Sequence, residues 1–265
     1  MAPAAHFAQG LPLLLSALVV AVSAVGIGPA HAGETTREGA DPARYAACMT
    51  LAREDPEAGF DSALTWEGLG GGNPARHCIA VALIGLGHHA EGASRLENLA
   101  ETLTASTLSL RSEILAQSGQ AWLLAGNLAR AHAVQSIALR LDPDNPELLV
   151  DRSITLASAE NYGEALEDLN AAEGLVPDRV DILIYRASAY RFLDEEDLAF
   201  RDVERALMLE PNNPFALLER GILRRLSGDD SGARADWVRV TSLAGERPVA
   251  DMARANLEKL DVKVD

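Results

Sequence analysis

The clearest pattern along this chain is a set of apolar and small residues that recur every 34 positions between residues 112 and 247. One column is leucine, one is alanine, one holds small residues, and one is proline. Their members are Leu115, Leu149, Leu183 and Leu217; Ala131, Ala165, Ala199 and Ala233; Gly119, Ser153, Ala187 and Gly221; and Pro143, Pro177 and Pro211. The pattern divides this segment into four repeats, 112–145, 146–179, 180–213 and 214–247.

Each repeat predicts two helices joined by a short turn. In the repeat 180–213, the first helix covers about residues 181–192, and the second ends near Leu209, before Pro211. The acidic run 194–197 precedes the second helix, where its charge suits the positive end of the helix dipole. Small residues let two helices cross closely, and such a pair can bury its apolar face only by stacking on its neighbours.

These columns resemble the tetratricopeptide repeat (TPR). Ala187, Tyr190, Ala199, Ala206 and Pro211 stand at the small, aromatic, alanine, small and proline positions of that motif. The resemblance is strong over residues 112–247 and implies an all-α, right-handed solenoid of stacked helix hairpins. Residues 41–111 are predicted to form degenerate helix pairs, and residues 248–265 a capping helix and tail.

Two charged columns share the same spacing, with arginine in the first helix and aspartate in the second. They are Arg152, Arg186 and Arg220, and Asp168, Asp202 and Asp236. The repeat 112–145 lacks both charges, since it has Ser118 and Val134 there. Because the two charges are lost together, we predict a structural ion pair within each hairpin. An anion-binding site is the functional alternative.

The resemblance also implies a concave groove lined by the first helices. Carried over position by position, the groove residues are Val150, Ile154, Ile184, Ser188, Arg191, Phe192, Leu218, Ile222, Arg225 and Leu226. This set is largely apolar, with a basic spot at Arg191 and Arg225. The expected ligand is therefore a peptide or helix of a partner protein, with apolar anchors and acidic groups for the two arginines.

The first 32 residues have the pattern of a secretory signal peptide. Residues 11–28 are almost all apolar, and Ala30, His31 and Ala32 form a cleavage motif. Residues 33–40 would then be a flexible mature N-terminus, and the protein would be exported to the periplasm. Residues 1–10 contain no Lys or Arg, which leaves open an uncleaved anchor in the inner membrane, facing the periplasm.

The two cysteines fit an exported protein. Cys48 and Cys78 both lie after the apolar leader, and in an oxidising compartment they are expected to pair as a structural disulfide. Two buried free thiols are the alternative.

The net charge and the sequence motifs limit the classes of function that this chain can have. The net charge of −16 argues against nucleic-acid binding. His77, Cys78, His88 and His89 lack metal-ligand spacing, and no catalytic set stands in a recognisable context, so no metal, cofactor or enzymatic activity is expected. The predicted function is a non-catalytic protein-interaction scaffold for envelope assembly, secretion or protein maturation. The alternatives are a membrane-tethered accessory subunit and, more remotely, an enzyme.

Overall fold

The computed structural model describes residues 41–103 and 107–261, which form thirteen α-helices and no β-strand. They are α1 (Pro42–Glu54), α2 (Pro56–Gly68), α3 (Gly72–Gly85), α4 (His89–Thr102), α5 (Leu108–Leu124), α6 (Leu128–Leu141), α7 (Pro146–Ser158), α8 (Tyr162–Leu175), α9 (Val180–Phe192), α10 (Glu196–Leu209), α11 (Pro214–Leu226), α12 (Asp230–Ala244) and α13 (Pro248–Asp261). Consecutive helices pack as hairpins, and the expected all-α solenoid class is confirmed.

The described chain divides into two compact units, residues 41–152 and 153–261. The expected signal peptide at 1–32 and the expected flexible segment at 33–40 lie outside the described residues. Within the described ranges, no helix is long and apolar enough to cross a membrane.

Local sequence sets where these helices begin and end. Asn213 caps α11, because its Oδ1 accepts a hydrogen bond from Phe215 N at 3.0 Å, and Pro214 occupies the first turn. Asp229 Oδ1 caps α12 by accepting from Gly232 N at 2.8 Å. Gly228 follows the end of α11 with a φ of 84°, a left-handed conformation that costs glycine little. Short turns therefore connect the helices of each hairpin.

The two helices of a hairpin approach closely at the small-residue column. A Cβ on Gly119 would come within 2.5 Å of Gln135 Cγ, and a Cβ on Gly221 would overlap the indole of Trp237. Gln135 and Trp237 are each buried on the second helix of their hairpin. The sequence predicted that small residues in this column allow the helices to cross closely, and these distances agree with that prediction.

The first unit is closed at its beginning by a disulfide. Cys48 on α1 and Cys78 on α3 are bonded, with their Cα atoms 6.1 Å apart, and both are buried beside Trp66. The predicted disulfide is confirmed, and the two cysteines are not free thiols. Closing a loop of 30 residues stabilises the fold by about 3–4 kcal/mol in the chain-entropy model. The bond therefore holds the degenerate first hairpin to α3.

The second unit is closed at its end by α13. Val249, Ala250 and Ala253 are buried against the apolar core of this unit, while Asp251 and Lys259 are exposed. Arg234 on α12 pairs with Asp261 at the end of α13. An apolar inner face and a charged outer face are what a terminal capping helix of a stacked fold requires.

The arginine and aspartate columns meet within the hairpins of the second unit. Arg186 Nε donates to Asp202 Oδ2 at 2.5 Å, and Arg220 Nη2 donates to Asp236 Oδ1 at 2.7 Å. The aspartates are 7% and 4% exposed. The hydrogen bond that each arginine donates to its aspartate raises the pKa of the arginine. Asp168 of the third member is also buried.

Each of these arginines also contacts the preceding hairpin, which the sequence did not predict. Arg186 Nη1 donates to Asn170 at 3.3 Å, and Arg220 Nη1 donates to Glu204 at 3.2 Å. In the first unit, Arg152 Nη1 donates to Ser136 at 3.2 Å in the same register. The acceptors lie 16 residues before their arginines. The column therefore joins hairpins as well as helices.

Replacing Asp202 by alanine should destabilise the second unit. The change leaves Arg186, whose side chain is 13% exposed, without its two charged hydrogen bonds, and Glu173 at 3.8 Å replaces them poorly. We expect the free energy of unfolding to fall by about 2–3 kcal/mol, measured by urea denaturation followed by circular dichroism.

The matched control is Glu204→Ala. Glu204 also pairs with an arginine but is 48% exposed, so its loss should cost about 0–1 kcal/mol. If Asp202→Ala and Glu204→Ala shift the urea midpoint equally, the ion pair has no special structural role.

Candidate partner-binding surface

The ten expected groove residues fall on three first helices. Val150 belongs to the first unit, and the other nine belong to the second. In the second unit, Ile154 lies on α7; Ile184, Ser188, Arg191 and Phe192 lie on α9; and Leu218, Ile222, Arg225 and Leu226 lie on α11. The second unit therefore holds almost the whole candidate surface.

Four of the ten residues are buried rather than available to a partner. They are Val150, Ile184, Ser188 and Leu218. Ile184 and Leu218, with 6% and 1% exposure, belong to the core of the second unit. Because hairpins stack through their first helices as well as their second, these positions contribute to packing. Changing Ile184 or Leu218 to aspartate would therefore test folding and not partner capture.

Arg191 is not an open basic site. Its Nε donates to Glu219 Oε1 at 2.5 Å, and its Nη2 donates to Ser188 Oγ at 3.2 Å. The arginine and glutamate side chains are 9% and 2% exposed, so this is a buried, internally neutralised pair between α9 and α11. Of the two arginines expected to receive acidic groups, only Arg225 is exposed.

Sequence reasoning missed Glu219, although one signal was available. It is a single acidic residue directly after the buried run Ala216, Leu217 and Leu218 on the first helix of its repeat. A carboxylate in an apolar run needs a cationic partner. That partner lies 28 residues earlier, in another hairpin, where a sequence pattern does not point.

Aromatic stacking holds the end of α9 against the preceding hairpin. The rings of Tyr162 and Phe192 are stacked, with centroids 4.4 Å apart and planes 2° from parallel. The Arg191 guanidinium lies 4.3 Å from the centroid of Phe192. Burial raises the pKa of the Tyr162 hydroxyl, and the nearby Glu160 carboxylate raises it further. These contacts connect the start of α8 to the end of α9.

Apolar side chains are exposed at the ends of the first helices, as they also are on the second helices at Met208 (75%) and Val238 (52%). Leu226 is 56% exposed and Leu193 is 42% exposed, while Phe192 and Ile222 are partly exposed. Because the hairpins repeat one orientation, the turns after α7, α9 and α11 lie at the same end of their helices. We call residues 158–161, 192–197 and 225–230 the turn edge.

An acidic turn and a glycine-rich turn, segments of a kind that can hold calcium or phosphate, have structural roles in this chain. Asp229, in the run Asp229, Asp230 and Ser231, is the cap of α12, and the backbone hydrogen bond from Gly232 lowers its pKa. The glycine-rich segment near residue 70 is a tight turn between α2 and α3, with Gly70 at φ 88°. Among the described residues, no three His, Cys, Asp or Glu side chains are arranged to hold a metal ion.

His77 takes part in a buried hydrogen-bond network in the first unit. Its Nδ1 lies 2.6 Å from the Tyr45 hydroxyl, and its Nε2 lies 2.9 Å from Gln117 Oε1. If the Gln117 amide oxygen accepts from Nε2–H, then Nδ1 accepts from the Tyr45 hydroxyl. The imidazole thus connects α1, α3 and α5, next to the disulfide of Cys78.

No protein-family model matches this chain, and no curated protein matches it in sequence. Solved structures do match. MamA 41-end from Desulfovibrio magneticus RS-1 aligns with a TM-score of 0.57 at 20% identity, over 65% of this chain and 94% of that chain. A chain of the APC/C hetero-tetramer Cut9–Hcn1 aligns with a TM-score of 0.62 at 15% identity, over 82% of this chain and 43% of that one.

A third solved structure also matches this chain. YrrB, described as a TPR protein with an unusual peptide-binding site, aligns with a TM-score of 0.52 at 15% identity, over 68% of this chain and 91% of that chain. At these identities the likeness concerns the fold. The class of protein is therefore an all-α fold of the TPR type, as the 34-residue repeat predicted.

Lowering the pH should destabilise the first unit through His77. Burial lowers the pKa of His77 below its ordinary value of 6.5, and nearby Arg53 also lowers it, while the bond to Gln117 opposes them. The folded state therefore binds this proton less readily than the unfolded state. Stability is retained above about pH 6.5 and is lost as the pH falls further, with a slope approaching about 1.4 kcal/mol per pH unit.

The measurement is the urea midpoint between pH 7.5 and 5 for the wild type, His77→Gln and His88→Gln. Tyr45, Gln117, Arg53 and Glu113 surround this network and stay unchanged. His77→Gln should flatten the pH dependence, whereas exchange of the exposed His88 should leave it intact. An equal slope in wild type and His77→Gln would contradict the assignment.

Proposed function

We propose that this chain is a non-catalytic protein-interaction scaffold that binds a peptide or helix of a partner protein on its second unit. The observation that carries this proposal is the exposed apolar surface of the turn edge, where Leu226 and Leu193 are 56% and 42% exposed. Exposed apolar side chains on a rigid element are typical of interaction sites. The likeness to YrrB, described as having a peptide-binding site, supports this reading of the fold.

The rigidity of this surface supports binding. The Tyr162–Phe192 stack and the Arg191–Glu219 pair join three helices beneath it, so little ordering is needed when a partner binds. The polar groups of Arg191, Glu219 and Ser188 are paired with each other. Such a site provides a fixed shape and apolar area for contact with a partner. These properties favour binding of a partner over proton transfer or nucleophilic attack.

The turn edge replaces the carried-over groove as the place where the partner binds. Phe192, Ile222, Arg225 and Leu226 remain part of it or border it, and the buried positions Ile184, Ser188 and Leu218 support it from below. The anchors of the partner would contact Leu226, Phe192 and Leu193. The process we propose is envelope assembly, secretion or maturation of another exported protein.

Export of the protein to the periplasm is part of this proposal. The Cys48–Cys78 disulfide supports it, because disulfides persist in oxidising compartments and are rare in the cytosol. The sequence of residues 1–32 predicts a cleaved leader. Mass spectrometry of the protein purified from its native host should therefore give Gly33 as the first residue. A chain that retains residues 11–28 would instead support the tethered accessory subunit.

A photo-crosslinking experiment tests partner binding. The full chain, carrying p-benzoylphenylalanine in place of Leu226, is expressed in the native host and irradiated in intact cells. Because Leu226 is exposed at the centre of the proposed contact, we expect one discrete crosslinked product, with its partner identified by mass spectrometry.

The control carries the same crosslinker in place of Glu246, which is exposed in the turn after α12, at the opposite end of that hairpin from the turn edge. It should give no such product. A product that is equally strong at both positions, or no product at Leu226, would count against the turn edge as the binding surface.

A further inference from the structure

The turn edge carries a charge pattern that specifies the partner. Building on the proposed function, we propose that its ligand is a cationic amphipathic peptide segment, with Lys or Arg side chains placed beside apolar anchors. This differs from the expectation of an acidic ligand, which rested on Arg191 and Arg225.

The exposed charges of the turn edge are almost all negative. Its exposed acidic residues are Glu160, Asp194, Glu195, Glu196, Asp197, Asp229 and Asp230, and its one exposed cation within the segments 158–161, 192–197 and 225–230 is Arg225. Arg191 does not offset them, because Glu219 neutralises it below the surface. Arg224, which borders the third segment and lowers the pKa of Asp229, is paired with Asp236. A partner that approaches this edge therefore meets a negative potential around apolar side chains.

Some of these acids have an ordinary structural role. Glu196, Asp197 and Asp230 lie in the first turns of α10 and α12, where a negative charge is favourable next to the helix dipole. Asp229 caps α12. These four would be expected in many helical proteins, and they add to the field without pointing to a ligand.

Glu160 and Asp194 have no such local explanation. They follow α7 and α9 with φ of 62° and 60°, whereas Gly126 and Gly228 occupy the matching position after α5 and α11. Glycine adopts this left-handed conformation at lower cost, and a carboxylate there lies at the negative end of a helix dipole. Local stability alone would favour glycine at both positions. Both residues are exposed, so their charges lie at the surface beside the apolar side chains.

The apolar residues and the acids alternate in the chain. Leu193 is followed directly by Asp194 and Glu195, and Leu226 lies three residues before Asp229. Phe192, held by Tyr162 at 4.4 Å, stands beside them. A ligand that complements both the apolar residues and the acids requires apolar side chains on one face and cationic side chains at its borders. This is the pattern of a basic amphipathic helix or strand.

Other occupants fit this edge less well. Nucleic acid and acidic peptides would be repelled by the same field. The chain's own residues 1–32 contain no Lys or Arg and so lack the cationic groups. A second copy of the chain, which carries net charge −16, would also be opposed by charge.

The test uses two synthetic peptides, a fluorescein-labelled amphipathic 18-mer of Leu and Lys and its isosteric Leu and Glu counterpart. Binding to the purified full chain is followed by fluorescence anisotropy. The Leu/Lys peptide should bind, and its affinity should fall as salt rises from 50 to 300 mM, because surface charges are screened. The Leu/Glu peptide should bind at least about tenfold more weakly.

Two variants with the same loss of charge locate the effect. Glu160→Gln, Asp194→Asn and Glu195→Gln together should weaken Leu/Lys binding about tenfold. The control combines Glu167→Gln, Glu210→Gln and Glu246→Gln, three exposed acids outside the turn edge, and should change the affinity by less than about twofold. A third variant, Leu226→Ser, should also weaken binding, because it removes an anchor.

The outcomes separate this inference from the proposed function. Equal weakening by both triple variants, or equal binding of both peptides, would overturn the cationic ligand. A crosslink at Leu226 to a partner whose contacting segment is acidic would also overturn the cationic ligand, but it would still support the proposed scaffold function. Tighter binding of a labelled second copy than of the Leu/Lys peptide would assign the edge to self-association and overturn the inference. Absence of any crosslink at Leu226 would instead contradict the scaffold itself.

Discussion

Two facing side chains, one on each helix of a hairpin, fill the space where the helices cross. Their combined volume sets the distance between the two helices, and the rest of the fold depends on that distance. Where the first helix has glycine, as at Gly119 and Gly221, the second has a large side chain, Gln135 or Trp237. In the repeat 180–213, the first helix has Ala187 and the facing position has the smaller Val203. A large side chain thus stands opposite glycine and a smaller one opposite alanine, as close packing of the two helices requires.

The stacking of the hairpins positions the candidate surface. Stacked hairpins of similar thickness bury the middle of the first helices, so Ile184 and Leu218 belong to the core. Accessible apolar area is left at the helix ends, where the chain must turn and where Leu193 and Leu226 are exposed. The Arg191–Glu219 pair and the Tyr162–Phe192 stack then hold those ends in place. A surface of this kind combines rigid support with an irregular, chemically variable edge.

The sequence predicted most of the fold because the relevant information is local and periodic. The 34-residue columns, the prolines and the acidic turns determine helix positions, and α9 and α10 fall where the pattern placed them. The pairing of Arg186 with Asp202 also follows from a column, whereas the contact of Arg186 with Asn170 does not, since it depends on how one hairpin stacks on the next.

The candidate surface could be predicted only in part. Groove positions carried over from the family assume that those side chains face a ligand, and the burial of Leu218 depends on packing that no spacing encodes. Glu219 neutralises Arg191, which lies 28 residues away in another hairpin. The sequence therefore could not show that the basic spot expected at Arg191 is already paired. The exposed leucines at the turns were visible in the sequence, but their exposure follows from where the helices end.

The arginine that reaches back 16 residues to the preceding hairpin has a consequence for how such a chain grows. A segment of 34 residues contains the arginine for the interface before it and the acceptor for the interface after it, as Arg186 and Glu204 do within 180–213. A tandem duplication of that length would therefore create a new junction that already has both halves of its hydrogen bond. Lengthening by whole repeats therefore preserves this hydrogen bond between neighbouring hairpins at each new junction.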